Sequence, residues 1–225
     1  MVGRRQKRRH GSRSVTLSVR HTAAYDVTEG FGLRLPGTRG HRVCQGDLVT
    51  LPSVMAQAKR EVVLTTSRVV LTSWLIGDVE PLFEIHSDPE SMRFVRRGRA
   101  ESLAEVEDLV RQYIKDHASR GWTKWRLADR QGGLIGRAGF GGDESTRGLS
   151  YHIRRDCWGQ GLATEIALAL VDWHRANAPA ATLRALVEIG NDASVRVLQK
   201  VDFQEVGPED YHGIRCRSFA YSMFE

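Results

Sequence analysis

Covalent staples and membrane anchors are what this chain has least of. Its three cysteines, Cys44, Cys157 and Cys216, are odd in number, widely spaced and never in a CxxC pair. That argues against a disulfide framework and a zinc site, so no metal is expected, and it suits the reduced cytoplasm. No apolar run approaches the roughly 20 residues a membrane-spanning helix needs. No continuous apolar stretch follows the basic N-terminal residues, which removes a secretory signal as well. Residues 1–20 contain no acid against seven Lys/Arg. Taking those seven from the formal net charge of +6 leaves −1 for the other 205 residues. A nucleic-acid contact, if the protein makes one, therefore belongs to the tail and not to the body.

Residues 1–61 also lack sustained hydrophobic periodicity. They hold the basic run 4–9, scattered glycines and Pro36, a composition that predicts a disordered basic extension. Two other readings fit the same stretch: an organellar transit peptide, or a true start of translation near Met55 or Val62.

Order is expected from about residue 62 to 225. Arg68-Val69-Val70-Leu71-Thr72 is a β-branched strand. Val79, Leu82, Phe83 and His86 follow at helical spacing with Asp78 as cap, and Ser87-Asp88-Pro89 breaks that helix. Ser102-Leu103-Ala104-Glu105 is a capping box, and Val106, Leu109, Val110, Tyr113 and Ile114 mark one face of the helix after it. Strands are expected over 122–128 and 134–140 about a turn-rich connection, then a loop over 141–148 and a strand over 149–153. A helix over 161–176, a strand over 183–189, a helix over 192–201 and a closing antiparallel pair, 203–206 with 214–224, complete the chain. The order predicts an α+β domain: a mixed, mostly antiparallel twisted sheet flanked by helices, with one parallel crossover from 149–153 to 183–189.

The crossover contains the stretch with chemistry. Alternating Leu149, Tyr151 and Ile153 give way to Trp158-Gly159-Gln160-Gly161, then to a helical run without Pro or Gly. Strand, glycine turn and helix start together aim free backbone N–H groups at an anion.

The unit Trp158-Gly159-Gln160-Gly161-Leu162-Ala163-Thr164-Glu165, followed by Asn191-Asp192-Ala193-Ser194 and Val201-Asp202-Phe203, resembles the GNAT superfamily of acyl-CoA-dependent N-acetyltransferases. With Thr66–Leu71 and Ser87–Phe94 it is similar to the Rim-type branch, which acetylates protein α-amino groups. The resemblance covers roughly 65–225. It implies a splayed central strand pair that admits the acyl thioester, and acetyl-CoA as co-substrate. Pyrophosphate would lie on Trp158, Gly159, Gln160, Gly161, Leu162, Ala163 and Thr164. Pantetheine would lie along the strand through Ile153 and Arg155 and against Asn191 and Ser194.

Two departures stand out. Leu198 occupies the position where many members carry a tyrosine acid, and Asp202 replaces the glycine usual before Phe203. Ser194 is the nearest substitute acid, with a plain pantetheine contact as its other role; coenzyme A thiolate can also leave without an acid. Glu188 is the candidate base, beside His152, Glu90 and a water chain. Cys157 suits packing, and Lys200 either the adenosine phosphate or solvent. The implied reaction is direct attack of an amine on the thioester. The acceptor would be a protein N-terminus or a small amine, chosen by 83–98, 141–148 and 209–215. Those loops lack a dense acidic patch, which favours a peptide. A non-catalytic acyl-CoA-binding module is the rival from another class, and monomer and homodimer both remain open.

Overall fold

The structure is a computed structural model and describes residues 59–95 and 98–222. The expected extension lies outside the described residues up to position 58, as do the start near Met55 and the end of the last expected strand.

Eight strands form one sheet in the order β1-β2-β3-β4-β5-β6-β8-β7. The strands are β1 (Val62–Thr65), β2 (Val69–Thr72), β3 (Lys124–Asp129), β4 (Leu134–Gly142), β5 (Thr146–Ile153), β6 (Thr182–Glu188), β7 (Phe203–Tyr211) and β8 (Ile214–Tyr221). The helices are α1 (Val79–His86), α2 (Pro89–Met92), α3 (Leu103–Arg120), α4 (Leu162–Asn177) and α5 (Asp192–Lys200). Every neighbouring pair is antiparallel except β5 with β6, the crossover that α4 carries. The expected α+β architecture is the observed one.

Both faces of the sheet are covered. Leu134 and Ile135 are neighbours on β4 and so point to opposite faces. Ile135 joins the larger core with Ile166, Leu170 and Leu198 of α4 and α5. Leu134 joins a smaller cluster with Leu82, Val106 and Val110 of α1 and α3. Each fully buried aliphatic side chain contributes about 1.5–3 kcal/mol. The α3 start is as expected: Ser102 accepts from the Glu105 N–H at 3.4 Å, and the Glu105 carboxylate accepts the Ser102 N–H at 2.8 Å.

Several boundaries differ from the sequence expectation. The span 141–148 is not a loop. Asp143 Oδ1 accepts the N–H groups of both Ser145 and Thr146 at 2.9 Å, closing a tight turn so that β4 and β5 run almost to it. β7 extends to Tyr211 through Pro208, which an edge strand tolerates. A one-turn helix, α2, occupies the expected break, begun by Asp88 accepting the Glu90 N–H at 3.1 Å. Asp78 does not cap α1 with its side chain. Its carboxylate instead binds Arg60 at 2.6 Å and Arg126 at 3.0 Å, a partly buried pairing that ties the start of α1 to the sheet.

Candidate active site

β5 and β6 are paired only over Thr146–Gly148 and Thr182–Arg184. Beyond that they separate, because β5 stays in register with β4 up to Ile153 while β6 stays in register with β8 up to Glu188. Each strand therefore turns an unpaired edge of backbone donors and acceptors toward a wedge-shaped slot. Buried backbone groups demand partners. An extended molecule carrying amides would supply them.

The slot runs up to the glycine turn. Gly159 and Gly161 have φ of +74° and +78°, a region that L side chains enter only with strain. A Cβ on Gly159 would meet nothing within 4 Å, and one on Gly161 would come no nearer than 3.7 Å to an Arg68 nitrogen, so the turn encloses open space. Among the described residues no side chain caps the start of α4. The N–H groups of Leu162, Ala163 and Thr164 are left facing that space, with the positive end of the helix dipole behind them. The turn suits a diphosphate through its backbone alone.

The side chains expected to bind are partly committed elsewhere. Trp158 donates through Nε1 to the Ile153 carbonyl at 2.6 Å, and Gln160 donates to the Asp156 carbonyl at 3.2 Å. Both brace the turn. Arg155 is exposed in a short 3₁₀ turn, Arg155–Cys157.

Sequence reasoning missed the outer brace. Arg68 donates to Glu165 at 2.6 Å and to the Gln160 carbonyl at 2.7 Å, and Ser67 donates to Glu165 at 2.9 Å. Burial opposes the Glu165 charge, but hydrogen bonds from Thr66, Ser67 and Arg68 prevail and hold its pKa down to about 2. The β1–β2 turn is thereby fastened to the phosphate turn, and a guanidinium stands beside it. Only the pairing of distant segments reveals this; Arg68 on its own reads as a strand residue.

At the far end of the slot, Asn191 caps α5, its Oδ1 accepting the Ser194 N–H at 3.2 Å. Ser194 sits in the first turn of α5, and burial pushes the Tyr151 phenol on β5 up, with Ser194 offsetting part of that rise. Glu188 ends β6, half-buried, and lines an open pocket of about 470 Å³ with Ile189, Gly213, Ile214 and Arg215.

The other expected residues are not gathered there. His152 is buried on the opposite face of β5 from Tyr151, with Nε2 2.8 Å from Ser91 Oγ of α2. Burial, Arg137 and His86 together hold its imidazole well below the ordinary range, so it is neutral. Glu90 is exposed at the start of α2, 3.7 Å from Arg93. Cys157 packs against the core, and burial followed by Asp156 pushes its thiol up, which leaves it a poor nucleophile. Lys200 is exposed at the end of α5. Among the described residues no group of His, Cys, Asp or Glu could hold a metal ion, and no helix is long and apolar enough to cross a membrane.

Comparison with known proteins agrees with this geometry. The family model "Acetyltransferase (GNAT) domain" matches residues 68–204. An uncharacterized N-acetyltransferase p20 of Bacillus licheniformis is 26% identical over 167 residues, 72% of this chain and 93% of that protein. The ribosomal L7/L12 α-N-protein acetyltransferase RimL, solved with coenzyme A, is similar in fold with a TM-score of 0.62. It is 17% identical, and the match covers 71% of this chain and 97% of RimL. A spermidine N-acetyltransferase of Vibrio cholerae, solved with CoA and spermine, has a TM-score of 0.58 and 18% identity over 69% of this chain and 95% of its own. With its divergent central strands and glycine turn, and with the family match spanning most of the described residues, the chain belongs to the GNAT family of acetyltransferases.

Proposed function

We propose that this protein transfers an acetyl group from acetyl-CoA to a primary amine, and that the acceptor is the α-amine of a protein or peptide. The observation that carries the reading is the divergence of β5 from β6 leading to an uncapped helix start: the slot suits an amide-bearing arm and the turn a diphosphate. Gly159, Gly161, Leu162, Ala163 and Thr164 hold the diphosphate through backbone N–H groups, with Arg68 and Arg155 adding charge nearby. The strand edge ending at Ile153, together with Asn191 and Ser194, lines the arm. Acetyl-CoA supplies an activated carbonyl with a thiolate leaving group.

On this chain's side, Glu188 takes the proton that the ammonium acceptor must lose before its nitrogen is nucleophilic. Ser194 gives a hydrogen bond to sulfur as charge develops there. The pocket beside Glu188 has apolar walls in Ile189 and Ile214 and a cation in Arg215. An amine attached to a peptide, with a carbonyl to meet Arg215 and a side chain to meet the isoleucines, suits it better than a polycation. RimL, named for the α-amine of a ribosomal protein, supports the same choice by likeness of fold alone.

A screen of peptides and small amines with acetyl-CoA, read as free thiol released, tests the proposal. Turnover with N-terminal peptides above polyamines is expected. Turnover only with polyamines reassigns the acceptor. Binding of acetyl-CoA without turnover on any amine replaces the enzyme with a non-catalytic acyl-CoA-binding module.

A further inference from the structure

The short helix α2 reaches across the slot. At one end Ser91 Oγ stands 2.8 Å from His152 Nε2 on β5, and the Ser91 carbonyl lies 3.1 Å from the same nitrogen. A carbonyl only accepts, so Nε2 carries the hydrogen and ties α2 to β5. At the other end Phe94 stands in the turn that follows α2, where the Val95 N–H donates to the Met92 carbonyl at 2.7 Å. Its ring comes within 3.8 Å of the place a Cβ on Gly190 would take. Gly190 lies two residues past the end of β6. β5 and β6 are the strands that part at the slot. Ser91 and Phe94, three positions apart, therefore bridge the opening from the β5 wall to the loop beyond β6.

This bridge is firmly held. Ser91 and Met92 are buried against the body beneath it. The Arg93 guanidinium lies over the Phe94 ring, 5.1 Å from its centroid, and 3.7 Å from Glu90. Gly190 has a φ of +97°, a conformation that favours glycine, and so brings no side chain to hold the ring away. Glu188 and Ile189, immediately before Gly190, line the pocket assigned above to the acceptor. The Phe94 ring thus rests on the same short segment that the acceptor must pass.

We infer that Phe94 is a specificity-determining residue of the acceptor site: with α2 spanning the slot, its ring sets the width left for the group beside the attacking amine. A slender first residue passes the ring. A broad one must lift it from Gly190, together with the Arg93 stacked upon it. Selection of this kind works by exclusion and not by added attraction. The chemistry of transfer is untouched, since Phe94 has no group that can carry a proton.

The inference rests on the proposed transfer to a peptide amine. Peptides that differ only in a first residue of Gly, Leu or Trp test it on the full chain. In the wild type kcat/KM should fall about tenfold or more from the Gly to the Trp peptide. Phe94→Ala should shrink that ratio to within about threefold, and Phe94→Leu, which keeps apolar packing on Gly190, should fall between. A wild type indifferent to the first residue would overturn the inference. So would an unchanged ratio in both Phe94 variants, the mark of a merely structural role that lowers every peptide alike. Should CoA bind while no amine is acetylated, the proposed activity fails, and the same peptides are titrated against the CoA-loaded protein. The Gly peptide should then bind more tightly than the Trp peptide to wild type and about equally to Phe94→Ala. The same ranking in both proteins, or no peptide binding at all, would overturn the inference on its own.

Discussion

Asp202 holds a φ of +64° just before β7, a conformation that strains a residue bearing a Cβ. Asp202→Gly should stabilise the protein by up to about 1 kcal/mol, seen as a rise in Tm with activity unchanged. Gly161 makes the opposite case. Gly161→Ala introduces similar strain where the turn must meet phosphate, so the KM for acetyl-CoA should rise about tenfold or more while the fold survives. Both positions were legible in the sequence, since glycine, or its unexpected replacement, marks a backbone requirement within a short stretch. Tyr151 was not. Its neighbours in the chain are ordinary strand residues, and nothing local shows that its hydroxyl is buried without a hydrogen-bond partner among the described residues.

The fastening of the β1–β2 turn to α4 belongs to the scale of elements. Glu165 has a folded pKa of about 2 against an ordinary 4.5. A depressed carboxylate stabilises the fold fully above the unfolded value and loses that contribution as the pH falls through the folded one. Glu165→Gln should therefore cost about 1–3 kcal/mol at neutral pH, and in denaturant titrations its stability should change less than wild type between about pH 4.5 and 2. Element identity was largely readable, because period and capping are local. Ser102 and Glu105 show this best. Boundaries were less so where a side chain reached beyond its own element. Asp143 tightened an apparent loop into a hairpin, and Asp78, which has the look of a cap, is drawn away by Arg60 and Arg126.

For the whole molecule, the buried face between α1, α2 and the sheet sets the response to acid. His152 lies there beside Ser91, with the Arg137 cation near it and the His86 ring 5.0 Å away, while His86 itself is 2.5 Å from Glu101. Unfolded, such a histidine takes up a proton as the pH drops below about 6.5; folded, it resists until well below. Stability is thus complete above that value and declines beneath it, by up to about 1.4 kcal/mol per pH unit for each such group. His174, depressed chiefly by burial, adds to the slope. Denaturation at pH 7.5 and 5.5 should show the decline, and His152→Gln should reduce it without abolishing it. The sheet order was legible to the extent that one crossover and several hairpins admit few alternatives. The face that α2 covers was not, since four residues of helix carry too little pattern to show what they pack upon.

The short pairing of β5 with β6 has one more consequence. Two antiparallel blocks, β1–β5 and β6–β8–β7, meet along the sheet over a short stretch, three register pairs and the Thr182 N–H to Ser145 carbonyl bond at 2.9 Å. A molecule lying between them would act as a ninth strand, and its affinity would add to the cohesion of the sheet itself. At a hundred times its dissociation constant such a ligand contributes about 2.7 kcal/mol. Thermal resistance would then track the supply of donor, and amides on the facing edges of residues 149–153 and 185–188 would exchange with deuterium more slowly as that supply rises.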